Sequence, residues 1–123
     1  MSKIKNKKVA ISGGFDPIHI GHIRMIREAA NHGDVIVILN TDEWLKRKKG
    51  YYFMPFHQRK EILESIKGVQ NVIAALDEDG TVCKNLEEIK PDYFANGGDR
   101  INTNTPEIQI CKKYEIELIW NVG

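Results

Sequence analysis

The amino-acid sequence predicts a single α/β domain with an open, mostly parallel, doubly wound sheet of five strands. Apolar runs that suit buried strands alternate along the chain with stretches of helical spacing. The run from Val35 to Leu39 is unbroken and β-branched, which is typical of a central parallel strand covered on both faces. At 123 residues the chain can bury one hydrophobic core without metal or disulfide support, so residues 1–123 are predicted to form one domain.

The composition of the chain excludes several kinds of partner. The 18 Lys and Arg residues are balanced by 17 Asp and Glu, so there is no basic field for nucleic acid, and a small molecule is the expected partner. The two cysteines, Cys83 and Cys111, have no CxxC or Cys/His context for zinc and indicate a reducing cytoplasm. The N-terminus lacks an apolar signal core, and no segment is long enough to cross a bilayer. We expect a cytoplasmic protein without nucleic-acid or membrane partners.

The first strand leads into a glycine turn and a helix. Val9 to Ile11 form a short apolar run, Gly13 and Gly14 interrupt it, and a helical stretch follows from about Ile20 to His32. Glycine lets the backbone approach a ligand closely, and the amides and dipole at a helix N-terminus favour an anion. The turn is therefore a candidate phosphate site.

Two histidines stand at the start of this helix. His19 and His22 are three residues apart, so they should share a face and point back toward the glycine turn. The spacing predicts a pair of imidazoles facing the bound anion. The GxGxxG of dinucleotide sites, the GK[ST] of a Walker loop and the HExxH of zinc helices are all absent from this stretch.

The segment after the second strand carries a basic cluster. The first two strands and their helix form a βαβ unit with a right-handed crossover, and Thr41 or Asp42 is expected to cap a short helix that begins at TDEW. The segment KRKKGYYFMP is predicted to be a mobile basic loop. Because its four cations, at positions 46 to 49, follow a strand that ends near the glycine turn, we interpret them as a triphosphate-binding group.

The second half of the chain continues the alternation. A helix from Pro55, ended by Gly68, should place Phe56, Ile62, Leu63 and Ile66 on its apolar side and Arg59 among its polar residues. Strands are predicted at 71–76, 92–95 and 116–120, and helices at 81–89 and 106–113. The whole pattern is that of a Rossmann-like domain.

Three loops are expected to meet at one edge of this sheet. Ligands of doubly wound sheets bind beyond the carboxyl ends of the strands, where the strand order reverses. The loops are 13–16, 40–42 and 96–100, and the last contains Gly97, Gly98 and Asp99 as candidate contacts to a base or ribose. The aromatic residues expected in the core or in a dimer contact are Trp44, Trp120, Phe53 and Phe56.

The decamer GGFDPIHIGH resembles the signature of the HxGH nucleotidyltransferase superfamily. The segments NTDEW, KKG, QRKEILESI and NGGDR narrow the resemblance to its cytidylyltransferase-like branch. NTDEW and QRKEILESIKGV are similar to the glycerol-3-phosphate cytidylyltransferases, whereas NGGDR is similar to the KGGDY segment of the heptose-phosphate adenylyltransferases. The resemblance implies transfer of a nucleotidyl group from CTP or ATP to a polyol or sugar phosphate, with release of pyrophosphate.

The resemblance also implies roles for individual residues. The implied catalytic set, which stabilises charge at the α-phosphorus and the leaving pyrophosphate, is His19, His22, Lys48 and Lys49. The implied nucleotide-binding set is Gly13, Gly14, Phe15, Asp16, Gly21, Asp42, Arg59, Gly97, Gly98 and Asp99. Within it, Asp16 would organise the site near the acceptor, and Arg59 would lie near the nucleotide and a dimer contact. No protein ligands to a metal are implied; Mg²⁺ would be held mainly by the nucleotide phosphates, in a homodimer.

Some positions differ from the family pattern. Family members usually end with an ISSST- or RTxxISTT-like segment that binds the triphosphate, and the domain is expected to lack it, although ELIWNVG is similar to the strand that leads into it. Lys67 stands where relatives often carry arginine, and Asn96 replaces the lysine of KGGDY. Two alternatives stay open: an adenylyltransferase of the nicotinate-mononucleotide or phosphopantetheine type, and a non-catalytic nucleotide-binding regulatory protein.

Overall fold

The computed structural model describes residues 7–76, 82–97 and 106–122, in which five strands and five helices are formed. In chain order these elements are β1 (Lys8–Gly13), α1 (Ile20–Ala29), β2 (Asp34–Leu39), α2 (Asp42–Lys49), α3 (Phe56–Glu64), β3 (Val69–Ala74), α4 (Cys83–Ile89), β4 (Tyr93–Gly97), α5 (Pro106–Lys113) and β5 (Glu117–Val122). Several boundaries differ from the predicted ones: α1 ends about three residues earlier, and β3 begins two residues earlier.

The strands form one sheet in the order β3-β2-β1-β4-β5, and every neighbouring pair is parallel. This confirms the predicted single-domain, doubly wound α/β fold. The central strand β1 pairs with β2 over its whole length, from Lys8 opposite Asp34 to Gly13 opposite Leu39. On its other side β1 pairs with β4, so the strand order reverses there. The reversal places the loop after Gly13 at the edge where such sheets bind ligands.

Both faces of the sheet are covered by apolar side chains. Along β1, Val9 and Ile11 belong to a core cluster that includes residues of α1 and α3, whereas Ala10 belongs to a second cluster with residues of α4 and α5. All three side chains are fully buried. Burial on both faces explains why β2 is an unbroken apolar run, since each buried aliphatic side chain contributes about 1.5–3 kcal/mol to folding.

The basic cluster is helical, and its predicted assignment to a mobile loop was wrong. Helix α2 begins at its N-cap Thr41, whose Oγ1 accepts from the Trp44 N–H at 3.2 Å, and continues to Lys49. It ends at Gly50, which adopts a left-handed conformation (φ +90°) and donates its N–H to the Lys46 carbonyl at 2.7 Å. The four cations therefore occupy the last turn of α2, where the negative end of the helix dipole favours them.

The two faces of α3 also differ from the prediction. Leu63 is buried, and Phe56 and Ile66 pack against the first core cluster, as predicted. Ile62, however, is 40% exposed, and Arg59 is 0% exposed. The assignment of Ile62 to the apolar side and of Arg59 to the polar side was therefore wrong. The reason is that Arg59 finds buried partners elsewhere in the fold, which helical periodicity does not reveal.

None of the helices in the described ranges combines the length and apolar character needed to span a bilayer.

Candidate active site

A crevice of about 490 Å³ opens beyond the carboxyl ends of β1 and β2. Its lining comes from the glycine turn, the start of α1, the end of β2 and one face of α2: Gly13, Gly14, Phe15, Asp16, Pro17, His19, His22, Asn40, Trp44, Leu45, Lys48 and Lys49. The four residues of the implied catalytic set are thus brought together with the glycine turn. Of the implied nucleotide-binding set, Gly97 ends β4, and Gly98 and Asp99 lie outside the described residues.

The glycine turn is shaped by a buried aromatic ring. Phe15 adopts a positive φ of 50° and is 3% exposed. Its ring lies against Gly13, where an added Cβ would come within 3.1 Å of the ring carbon Cε2. The same ring packs against the imidazole of His22 with a centroid distance of 4.7 Å. The Phe15 ring therefore contacts both the glycine turn and the imidazole of His22.

His19 and His22 each accept a hydrogen bond from a backbone N–H at the N-terminus of α1. The His19 N–H donates to Nδ1 of His22 at 3.2 Å, and the Gly21 N–H donates to Nδ1 of His19 at 3.1 Å. Because both Nδ1 atoms accept, the neutral form of each ring carries its proton on Nε2. The two rings stack with their centroids 3.9 Å apart. The hydrogen bonds to Nδ1 thus leave an Nε2–H donor on each of two histidines that line the crevice.

Gly21 leaves space for this arrangement. A Cβ at Gly21 would lie 2.9 Å from Cε1 of His19, so any side chain there would displace the imidazole. Gly21 is absent from the crevice lining. In the structure its role is to let the His19 ring lie over the first turn of α1, with its own N–H fixing the ring.

Protonation of His22 is opposed by its surroundings. Burial, and after it the neighbouring His19, lower the pKa of His22 below its ordinary value. A proton on Nδ1 would also face the His19 N–H, which donates to that atom in the capping box. The neutral ring is therefore the form that the fold stabilises.

The free energy of unfolding is expected to fall as the pH drops below about 6.5, the ordinary pKa of histidine. In that range the unfolded chain binds a proton at His22 that the folded chain does not, so the stabilising contribution is full above this pH and is lost below it. His22→Gln keeps an acceptor oxygen for the His19 N–H without titrating. Urea unfolding from pH 8 to pH 5 should show a larger loss for the natural chain than for His22→Gln; parallel curves would contradict the assignment.

Asp16 fastens the segment after α2 to the glycine turn. Its carboxylate, 1% exposed, accepts from the N–H groups of Phe53 and Met54 at 2.8 and 2.7 Å, and Nζ of Lys49 lies 3.2 Å from Oδ2. Burial alone would raise the pKa of Asp16, but these hydrogen bonds and the Lys49 charge outweigh burial, and the pKa lies below its ordinary value. Asp16 is therefore ionised at neutral pH and holds both Lys49 and residues 50–55, which we call the strap.

Arg59 connects the same parts through a side chain that is fully buried. Its Nη1 donates to the carbonyl oxygens of Gly14 and Asn40, both at 2.8 Å, and its Nε donates to the Met54 carbonyl at 2.9 Å. Nη2 forms an ion pair with Oδ1 of Asp42 at 2.6 Å. Neither Arg59 nor Asp42 is part of the crevice lining. One guanidinium thus joins the glycine turn, the end of β2, the first residue of α2 and the strap.

The position of Trp44 differs from the predicted one. This half-buried residue lines the crevice, whereas it was predicted to lie in the core or in a dimer contact. Its spacing of four from Lys48 is the signal that could have found it, since such residues share a helix face once α2 is known to continue through Lys49. Arg47 instead lines a second cavity, of about 550 Å³, with Asp42 and Glu43. Arg47 therefore faces a different cavity from Lys48 and Lys49.

Fold and site together define a Rossmann-like α/β protein with a crevice, lined by two histidines and two lysines, at the reversal of strand order. The model of the protein family described as Cytidylyltransferase-like matches residues 10–119. The chain belongs to this cytidylyltransferase-like family, as its sequence predicted.

Similar proteins carry three different names. The chain is 39% identical over 94 residues to an FAD synthase of Ferroglobus placidus (76% of this chain, 60% of that protein). It is 42% identical over 98 residues to a glycerol-3-phosphate cytidylyltransferase of Staphylococcus aureus (76% and 70%) and 33% identical over 109 residues to the bifunctional protein HldE of Streptomyces coelicolor (86% and 23%). The chain thus spans about three fifths of the FAD synthase and under a quarter of HldE.

One solved structure supports the fold over almost its whole length. The lipopolysaccharide core biosynthesis protein of Thermoplasma volcanium GSS1 superposes with a TM-score of 0.72 at 24% identity, covering 94% of this chain and 95% of that chain. At this level of identity the similarity concerns the fold alone.

Proposed function

We propose that this protein is a nucleotidyltransferase that transfers a nucleotidyl group from CTP or ATP to a small phosphorylated acceptor and releases pyrophosphate. The observation that carries the proposal is the convergence of two imidazole Nε2–H donors and two lysines on one crevice beyond a glycine turn. These groups donate hydrogen bonds or carry positive charge, as a triphosphate requires. Membership of the cytidylyltransferase-like family supports the same reaction class.

The reaction needs positioning and charge stabilisation more than it needs a base. A phosphate oxygen of the acceptor attacks the α-phosphorus, a new P–O bond forms, and the bond from the α-phosphorus to the bridging oxygen of pyrophosphate breaks. The acceptor phosphate is already ionised at neutral pH, so no side chain has to remove a proton. His19 and His22 stabilise negative charge on the α-phosphoryl oxygens, and Lys48 and Lys49 stabilise the acceptor or the leaving pyrophosphate.

Among the described residues, Asp16 is the one acidic residue that lines the crevice. Within the ranges that the structure describes, no three His, Cys, Asp or Glu side chains are grouped to hold a metal ion. The carboxylate of Asp16, which lines the crevice, is occupied by two backbone N–H groups and Lys49. We therefore propose that Mg²⁺ binds mainly through the nucleotide phosphates. Formation of a homodimer is a separate point and stays a prediction.

The names of the relatives are compatible with either CTP or ATP as the nucleotide substrate. One similar protein is called an FAD synthase, which implies an adenine nucleotide, and another is called a cytidylyltransferase. Both names imply an acceptor that carries a phosphate. The candidates for this chain are therefore a polyol phosphate, a sugar phosphate and flavin mononucleotide (FMN).

Pyrophosphate release is the expected readout of this function. With Mg²⁺ and either CTP or ATP, the protein should release pyrophosphate in proportion to one of the three acceptors and should form the corresponding dinucleotide or nucleoside diphosphate ester. Calorimetric titration of CTP and of ATP compares the affinities of the protein for the two nucleotides. Binding of a nucleotide without turnover of any acceptor would instead support a regulatory nucleotide-binding protein. Binding of neither nucleotide would contradict both the nucleotidyltransferase and the regulatory interpretation.

A further inference from the structure

Two aromatic side chains of the strap, Tyr51 and Phe53, project into solvent beside the crevice. Tyr51 is 51% exposed and Phe53 is 63% exposed. Their rings meet edge to face with centroids 5.1 Å apart. We call this pair the aromatic rim. Exposed aromatic pairs of this kind are characteristic of binding surfaces, because water solvates them poorly.

The backbone beneath the aromatic rim is held firmly. The N–H of Phe53 and the N–H of Met54 both donate to the Asp16 carboxylate, and the Met54 carbonyl accepts from Nε of the buried Arg59. Met54 is thus held through both its N–H and its carbonyl oxygen. The rim is therefore presented at a defined place, so a ligand would not have to order the strap in order to bind it.

The aromatic rim shares a cation with the crevice. Nζ of Lys49 lies 5.3 Å from the centroid of the Tyr51 ring and 5.6 Å from that of Phe53. The same lysine lines the crevice with His19 and His22. A phosphate bound by Lys49 would therefore lie next to both aromatic rings. A molecule that fills both places carries a phosphate at one end and a flat apolar group at the other.

We propose, building on the proposed function, that the acceptor is a phosphate monoester that carries a planar aromatic ring system. Lys49 binds its phosphate, and Tyr51 and Phe53 bind its ring. A polyol phosphate offers nothing to stack on the aromatic rim and leaves both rings in water. The rim is thus the specificity-determining element for the acceptor.

Equilibrium binding of FMN tests the proposal without requiring catalysis. Flavin emission is quenched when the ring stacks on tyrosine, so quenching should report a saturable complex. Nicotinate mononucleotide, a second ring-bearing phosphate, should displace FMN, and glycerol 3-phosphate should compete much more weakly. The double variant Tyr51→Ser/Phe53→Ser should weaken FMN binding about 5- to 150-fold, the range expected for loss of aromatic stacking.

Controls separate the aromatic rim from general effects. Ile62→Ser removes an exposed apolar side chain from α3 and should leave FMN binding unchanged. Binding of CTP and ATP, measured by calorimetry, should be the same in the rim variant and the natural chain. If the natural chain bound neither CTP nor ATP, the proposed function would be contradicted. The binding of FMN would still show whether the aromatic rim binds a ring-bearing phosphate.

Three results would overturn the proposal. The first is no saturable binding of either FMN or nicotinate mononucleotide. The second is FMN binding that the rim variant leaves unchanged. The third is sedimentation showing that the rim variant turns a dimer into a monomer while acceptor kinetics stay the same, because the rings would then be a contact between two copies of the chain.

Discussion

His19→Asn and His22→Gln are each expected to lower kcat about 10²–10³-fold, the usual cost of removing one preorganised donor from a charged transition state. Both substitutions keep the N-terminus of α1 satisfied, since Asn is a favourable N-cap residue and Gln suits the third position of a capping box. The expected loss therefore reports the missing Nε2–H donors and not a frayed helix. The corresponding alanine variants should lose the same activity and, in addition, stability.

Steady-state pyrophosphate release with the preferred nucleotide and acceptor measures this effect. Urea unfolding of each variant should give nearly the natural free energy of unfolding at pH 8 for the Asn and Gln variants. His57→Gln is the matched control, because His57 is exposed on α3 and is absent from the crevice lining. Near-normal turnover in either the His19 or the His22 variant would refute its catalytic assignment.

Local signals explain why the centre of the site could be predicted. The glycine turn, the helix start and the spacing of His19 and His22 all lie within ten residues, and each has a backbone consequence that does not depend on the rest of the chain. The alternation of apolar runs and helical stretches likewise led to the confirmed fold, since an unbroken run such as β2 requires cover on both faces. Sequence also gave reason to group the lysines with the glycine turn.

Residues whose roles depend on distant partners were not predicted. Arg59 bonds to groups 5, 17, 19 and 45 positions away, so helical periodicity alone assigned it to a polar face. Trp44 was misplaced for a related reason, because the run of cations after it concealed the last turn of α2. The hydrogen bonds of Asp16 to the strap span 37 and 38 residues, and no local pattern encodes them. For Arg59 and Asp16, tertiary contacts that no local pattern reveals decide where the side chain lies.

Replacing Arg59 by Met is expected to reduce the free energy of unfolding by about 3 kcal/mol or more, because each carbonyl oxygen left without its donor costs about 1–3 kcal/mol. Met fills a similar volume, so packing loss is small and the change isolates the guanidinium. Three carbonyl groups and one oxygen of Asp42 would lose their donor. Arg59→Lys should be intermediate, because one ammonium group donates at most three hydrogen bonds and lacks the planar fork that reaches acceptors on separate segments.

Urea unfolding measures this loss, and Arg24→Met supplies the control, since Arg24 is exposed on α1 and its replacement should change stability by no more than about 0.5 kcal/mol. A loss below about 1 kcal/mol for Arg59→Met would contradict the structural role, because the net value of a single ordinary hydrogen bond is of that size.

Nucleotide affinity adds a second readout. Arg59 holds the Gly14 carbonyl on one side and the strap on the other, so the folded fraction of Arg59→Met should bind CTP and ATP more weakly than the natural chain, whereas Arg24→Met should not. A stability loss with unchanged nucleotide affinity would mean that the crevice keeps its shape without Arg59 and that this arginine serves folding alone.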